Sequence, residues 1–178
     1  MINIMEMNDT LRIILNRKSV RSFTGQEVSN ELLEELARAG MAAPSARNLQ
    51  PWAFVIVTNR ATLDTLAERL PYAKMLFEAP AAIAVCGDLS KAGDSPEGYW
   101  VQDCSAATQN ILLAAEAMGL GAVWTGVYPR PDRVAIVKEV LGLPDNVLPL
   151  NVIPIGFPKG EHQPKEKFKV ENIHWQHW

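Results

Sequence analysis

Residues 99–127 read YWVQDCSAATQNILLAAEAMGLGAVWTGV, a long helix that runs straight into a strand. Cys104, Ala107, Ile111, Ala115 and Met118 recur on one face at helical spacing, and Leu112, Leu113 and Ala114 carry the apolar surface around much of the circumference. A helix this apolar is buried, inside a domain or against a second subunit. Gly119 caps it, and Gly121–Val127 is expected to be a strand. On the N-terminal side, Ala53–Val57 and Ala81–Cys86 read as short buried strands. Between them Leu63, Leu66, Ala67 and Leu70 predict a helix over 60–70, closed by Pro71. Ser29 is an N-cap for an earlier helix with the stripe Leu32, Leu33, Leu36 and Ala39, placing Glu31 in its first turn and ending by Pro44. Residues 9–17 predict a first helix with Leu11, Ile14 and Leu15 on one face. On the C-terminal side, Pro131 opens a helix to Leu141 that Gly142 stops. Val147–Ile155 is the last strand, and Pro149 and Pro154 mark it as an edge or bulged one. Lys91–Gly98 reads as loop, and from Phe157 onward no periodicity remains, so the tail is expected to run extended. Helices and strands interleave, which indicates an α/β or α+β layer fold.

The chain has 178 residues, 48% apolar and 21% charged, enough for one domain with a core that needs no staples. Its net charge of −3 argues against a polybasic protein of nucleic acid or membrane surfaces. Cys86 and Cys104 show neither CxxC nor metal-ligand spacing. No signal peptide or spanning segment is visible, and the longest apolar runs fall far short of the ~20 residues that cross a bilayer. The expectation is a cytoplasmic protein with no nucleic-acid, membrane or metal partner. Twelve prolines and eleven glycines are mostly punctuation after apolar elements.

Several familiar sites are missing: there is no Walker A loop, no HExxH and no GxSxG. Gly119-Leu120-Gly121 follows a helix and leads into a strand, the reverse of a dinucleotide fingerprint. The three histidines lie in the tail, and no general acid–base set sits in the core elements. Either the protein is not an enzyme, or a bound cofactor does the chemistry. Anion-binding groups do cluster. In an extended Arg17-Lys18-Ser19-Val20-Arg21, residues 17, 19 and 21 share a side, and guanidinium with hydroxyl suits a phosphate. Lys165, Lys167 and Lys169 form a second basic cluster, able to close over the same anion. Ala43–Trp52 sets a hydroxyl, a guanidinium and two carboxamides in a loop directly before a strand.

Together these pieces resemble the FMN-dependent nitroreductase family. Arg17-x-Ser19-x-Arg21-x-Phe23 looks like its N-terminal flavin motif, and Pro44-Ser45-Ala46-x-Asn48-x-Gln50-Pro51-Trp52 like its second. The helix Ala106–Ala115, the turn Gly119-Leu120-Gly121, and Ile155-Gly156-Phe157-Pro158 with Pro164-Lys165-x-Lys167 match in order. The resemblance implies an α+β, three-layer α/β sandwich with a mixed sheet flanked by helices. It also implies a single domain over 1–178, with 157–178 as an extended C-terminal arm, and an intertwined homodimer with FMN at the interface. Carried over by position, Arg17, Ser19, Lys165 and Lys167 hold the phosphate and ribityl chain, with Lys18 in the same motif. Arg21 lies beside the pyrimidine edge, where a fixed cation stabilises charge on the reduced ring. Pro44, Ser45, Ala46 and Asn48 come from the partner subunit, and Thr125 and Gly126 place a backbone N–H at the reactive nitrogen. No side-chain amide near residue 70 matches the one that many members direct at the pyrimidine edge.

The function so implied is an oxidoreductase passing hydride from NADH or NADPH, through FMN, to nitroaromatic or quinone-like small-molecule acceptors by a ping-pong route. The flavin does the chemistry, and Arg21 and Thr125 tune it. The short region 88–100 predicts an open pocket. Two alternatives stand beside this reading. One is other flavin chemistry on the same scaffold, such as flavin or enone reduction or reductive dehalogenation; the other is a flavin-binding protein without enzymatic activity.

Overall fold

The computed structural model describes residues 8–93 and 98–178; residues 94–97 of the expected loop lie outside them. In chain order the elements are α1 (Asp9–Asn16), α2 (Asn30–Met41), β1 (Trp52–Val57), α3 (Arg60–Arg69), β2 (Ala81–Asp88), α4 (Trp100–Ala117), β3 (Gly121–Ala122), β4 (Thr125–Gly126), α5 (Pro131–Leu141) and β5 (Val147–Gly156). Local chemistry sets the helix ends. The side chains of Asn8, Ser29 and Asn59 accept from the N–H groups of Thr10, Leu32 and Thr62, satisfying donors that the first turn leaves free. Pro131 is the first residue of α5, and Gly142 ends it in the left-handed region at φ 62°.

The sheet runs β1-β2-β5-β3, with β4 also beside β5. Side chains of β2 alternate between two cores. Ala81, Ile83 and Val85 pack with α2 and α4 on one face. Ala82, Ala84 and Cys86 pack with α3 and α5 on the other. The result is the helix–sheet–helix sandwich of an α+β domain.

Two expectations are corrected and a third is narrowed. Each neighbouring strand pair is antiparallel, so the sheet within this chain is not mixed. β2 and β3 do point the same way, but β5 inserts between them. The strand expected over Gly121–Val127 is two short strands, pairing with β5 on either side of Ile153 and Pro154. And β5, expected as an edge or bulged strand, takes the bulged form and lies inside the sheet. Pro149 sits at the β-bulge where the register with β2 jumps from Val85↔Asn151 to Cys86↔Pro149, and Pro154 lies opposite the gap between β3 and β4. A proline is tolerated inside a sheet where the ladder is already interrupted.

Trp100 opens α4 with 3% exposure and makes an edge-on contact with Tyr128, ring centroids 4.9 Å apart. It lies so close to β2 that a Cβ on Gly87 would sit 2.3 Å from its Cε3. Gly87→Ala is therefore expected to lower folding stability by about 1–3 kcal/mol in denaturant titration. Cys86 and Cys104 are both free and buried, and the Cys104 thiol faces the Cys86 carbonyl oxygen at 3.4 Å. Burial pushes each thiol up to about 12, from an ordinary 9.0. Above that ordinary value the unfolded chain releases thiol protons that the folded chain keeps. Stability should thus fall as pH rises from about 9 toward 12, by up to about 1.4 kcal/mol per pH unit per thiol. Denaturant titrations at pH 8 and pH 10 check this, and stability that stays flat on the alkaline side would contradict it.

Candidate functional site

After α1 the chain leaves helical geometry at Arg17 and runs beside β3. The Val20 N–H donates to the Ala122 carbonyl at 3.1 Å. Val20 and Phe23 are each 2% exposed. Gly121 makes this approach possible, since a Cβ there would lie 2.6 Å from the Val20 Cγ1. With Val20 held inward, alternation leaves Ser19 and Arg21 outward. Lys18 shares the inward parity of Val20, and its Nζ meets Glu116 Oε1 in the last turn of α4 at 2.8 Å.

The tail returns to this segment through its backbone. Phe23 bridges Pro158, the Thr24 N–H donates to the Phe157 carbonyl at 3.0 Å, and the Lys159 N–H donates to that of Ser22 at 3.0 Å. Consequently Arg17, Lys18, Ser19 and Arg21 line one cleft together with Gln163, Lys165 and Lys167. Glu166, between the two lysines, accepts from the N–H groups of Lys167 and Phe168 and does not line the cleft.

Arg21 also lines a second cleft, with Thr125, Gly126, Pro71, Tyr72, Met75, Val123, Trp124 and Arg133. The Thr125 hydroxyl donates to the Val152 carbonyl, fixing the start of this turn to β5. Among the described residues no aspartate or glutamate lines either cleft, although the whole chain carries −3. The donors match a phosphate monoester in the first cleft. The second offers apolar and aromatic walls beside a backbone turn, a fit for an adjoining planar ring. FMN has both parts.

Pro44, Ser45, Ala46 and Asn48 lie elsewhere. Residues Ala46–Asn48 form a short 3₁₀ turn whose Ala46 N–H donates to Asp103 Oδ1 at 2.9 Å, and Asp103 is 7% exposed in the first turn of α4. Arg47, Asn48 and Gln50 all hold positive φ, at 52°, 56° and 49°. The Ser45 hydroxyl accepts from the Gln50 N–H, and the two expected carboxamides bond to each other, Gln50 Nε2 to Asn48 Oδ1 at 3.1 Å. Asp103 and Glu116 are thirteen residues apart on one helix, about 20 Å at 1.5 Å per residue. Within one chain, then, the loop is tied to the first turn of α4 and the Lys18 segment of the first cleft to its last turn.

Sequence reasoning missed Gln163, Tyr72, Met75, Trp124 and Arg133 as lining residues. Gln163 adjoins the Pro164-Lys165 motif and was within reach of it. The others come from turns and a helix start with no pattern in common. Among the described residues, no group of three or more His, Cys, Asp or Glu side chains could hold a metal. No helix there is long and apolar enough to cross a membrane.

The model of the nitroreductase family matches residues 14–71 and 67–157. A crystal structure from Parabacteroides distasonis, provisionally named NADH dehydrogenase/NAD(P)H nitroreductase, is 56% identical, with 97% of this chain and 100% of that chain covered and a TM-score of 0.92. A similarly named protein of Archaeoglobus fulgidus is 42% identical over 175 residues, 97% of this chain and 100% of its own. The FMN reductase (NADPH) of Bacillus subtilis is 31% identical, covering 94% of this chain and 75% of that protein. Residues 17–21 of the basic cleft, the Thr125–Gly126 turn and the long helix α4 all fall within the matched residues, and the chain belongs to the nitroreductase family.

Proposed function

We infer that this chain is an oxidoreductase that uses NAD(P)H and FMN. We propose that it passes reducing equivalents to nitroaromatic or quinone-like acceptors by a ping-pong route, in the cytoplasm. The observation that carries the proposal is the convergence of residues 17–21 and 163–167 on one acid-free cleft, continued across Arg21 to the Thr125–Gly126 turn.

When bound, FMN would supply the redox chemistry, a hydride relay between nicotinamide and acceptor. The chain's own residues bind and orient. Arg17, Ser19, Lys165 and Lys167 hold the phosphate by charge-assisted hydrogen bonds. Arg21 links the two clefts and places a fixed positive charge beside the ring, favouring the electron-rich form. The Thr125–Gly126 turn, tied to β5, presents its backbone to the reactive edge. Lys18 acts differently from the other cations of the motif. Its ammonium is committed to Glu116 and secures the segment to α4.

The site is completed by a second copy of the chain, which brings Pro44, Ser45, Ala46 and Asn48. Two observations support this. The loop is anchored to Asp103 and the first cleft's Lys18 to Glu116, roughly 20 Å apart along α4, which supports one chain holding only part of a site. Moreover, α1 has no buried residue and exposes Leu11, Ile14 and Leu15, while the tail exposes Phe168, Val170, Ile173, Trp175 and Trp178. Apolar surface on that scale marks an interface. Residues 157–178 are then an arm that reaches over the other copy.

Purified protein should show flavin absorbance, or acquire it with added FMN, and bleach anaerobically with NADH or NADPH; a protein that stays colourless with FMN ends this reading. Arg17→Ala is expected to weaken FMN binding by about 1.5–3 kcal/mol in a fluorescence titration. Lys18→Ala should instead cost about 1–3 kcal/mol of folding stability by leaving Glu116 unpaired, and the exchanged pair Lys18→Glu, Glu116→Lys should recover much of it. Sedimentation on dilution is expected to give no folded monomer that retains FMN.

A further inference from the structure

The second cleft holds more positive charge than the flavin reading uses. Four groups of the first cleft account for a phosphate. Arg133 in the second is left over. It is the third residue of α5, and its Nη1 donates to the Gly126 carbonyl at 3.0 Å. Its Nε is buried with no hydrogen-bond partner, and it forms no ion pair among the described residues. A guanidinium carries five N–H donors, and burying one unpaired is unfavourable. Among the described residues, no carboxylate lines the cleft to meet it.

Tyr72 stands over this guanidinium, with Cζ of Arg133 5.8 Å from the ring centroid. Its backbone is left-handed at φ 64°, and the residue is 81% exposed. A bulky residue in that region costs of order 1–3 kcal/mol. Leu70 and Ala73, buried on either side, hold the turn in place. This left-handed turn keeps a large, exposed aromatic ring at the lining of the cleft.

We propose that Arg133 and Tyr72 form an acceptor subsite beside the Thr125–Gly126 turn, selective for planar aromatic or quinone-type acceptors that carry a carboxylate. The Tyr72 ring offers a face for stacking, and the guanidinium offers the planar, charge-assisted pairing that carboxylates accept. Arg21, across the cleft and likewise without an ion pair among the described residues, adds to the field. This rests on the flavin reading, because it names the acceptor class of that same site.

The test uses two acceptors of nearly equal size, 4-nitrobenzoate and 4-nitrobenzamide, with the FMN-loaded protein at low ionic strength. The wild type is expected to favour the carboxylate in kcat/KM by roughly tenfold or more, the span of one charged hydrogen bond. Arg133→Gln should bring the ratio close to one, chiefly through KM for 4-nitrobenzoate. Arg133→Lys should keep part of it, retaining charge but losing the paired geometry. Added salt should erode the wild-type preference and leave that of Arg133→Gln unchanged. A wild-type ratio at or below one, or a preference that survives in Arg133→Gln, overturns the proposal. If the protein takes up no FMN, the flavin reading fails by itself. Equilibrium dialysis of the two compounds against flavin-free protein then decides the subsite: stronger retention of 4-nitrobenzoate supports it, and equal retention overturns it.

Discussion

Helix α4 lies between α2 and the strands β2 and β5, with Cys104, Ala107 and Ile111 wholly enclosed and Ala115 nearly so. Each fully buried aliphatic side chain in that core is worth about 1.5–3 kcal/mol, and the packing is locked by a short polar relay. Asn151 Nδ2 donates to the Thr108 hydroxyl, which donates back to the Cys104 carbonyl. Asn151 pairs with Gly126 in the sheet, so this relay joins the middle of the helix to the turn of the second cleft. The helix ends are equally committed, Asp103 to Ala46 and Glu116 to Lys18. A rigid rod thus holds the Ala46–Asn48 loop and the Lys18 segment at a fixed separation.

Electrostatics then divides the surface. The chain is acidic overall, yet among the described residues every charged group that lines the two clefts is a cation. Clefts lined by one sign of charge concentrate the field and draw counter-charged ligands. The one cation neutralised within the cleft walls, Lys18, faces the helix and has a structural task. Arg17 and Arg21, on the opposite parity, form no ion pair among the described residues. Strand alternation alone sorts three neighbouring cations into two roles.

Much of the fold was legible because its signals are local. Ser29, Pro131 and Gly142 announce helix ends through chemistry within a few residues, and the stripe Leu63, Leu66, Ala67 needs nothing beyond its own helix. The rest depended on partners far away in the chain. Pro149 and Pro154 argued for an edge or a bulged strand, and what decides between them, the bulge and the pairing gap, is made by β2 and by β3 and β4. The two basic clusters were visible as clusters, and their convergence depends on the tail returning to residues 22–24. The Lys18–Glu116 pair spans 98 positions, and nothing near Lys18 points to it. Arg133 looked like an ordinary residue of an exposed first turn; its partners Tyr72 and Gly126 lie in two other segments.

The central place of β5 has a bearing on how the chain is made. β5 is the last strand in sequence, yet β2, β3 and β4 all pair with it. During synthesis only β1 and β2 can join beforehand, leaving the long apolar edge of β2 bare while roughly 70 further residues emerge. At about 5–20 residues per second this lasts on the order of 3–14 s. An unpaired apolar edge is a template for wrong partners, including other nascent copies of the same strand. The sheet is complete only once β5 has emerged, and the Thr125–Gly126 turn of the second cleft gains its place in the sheet only then.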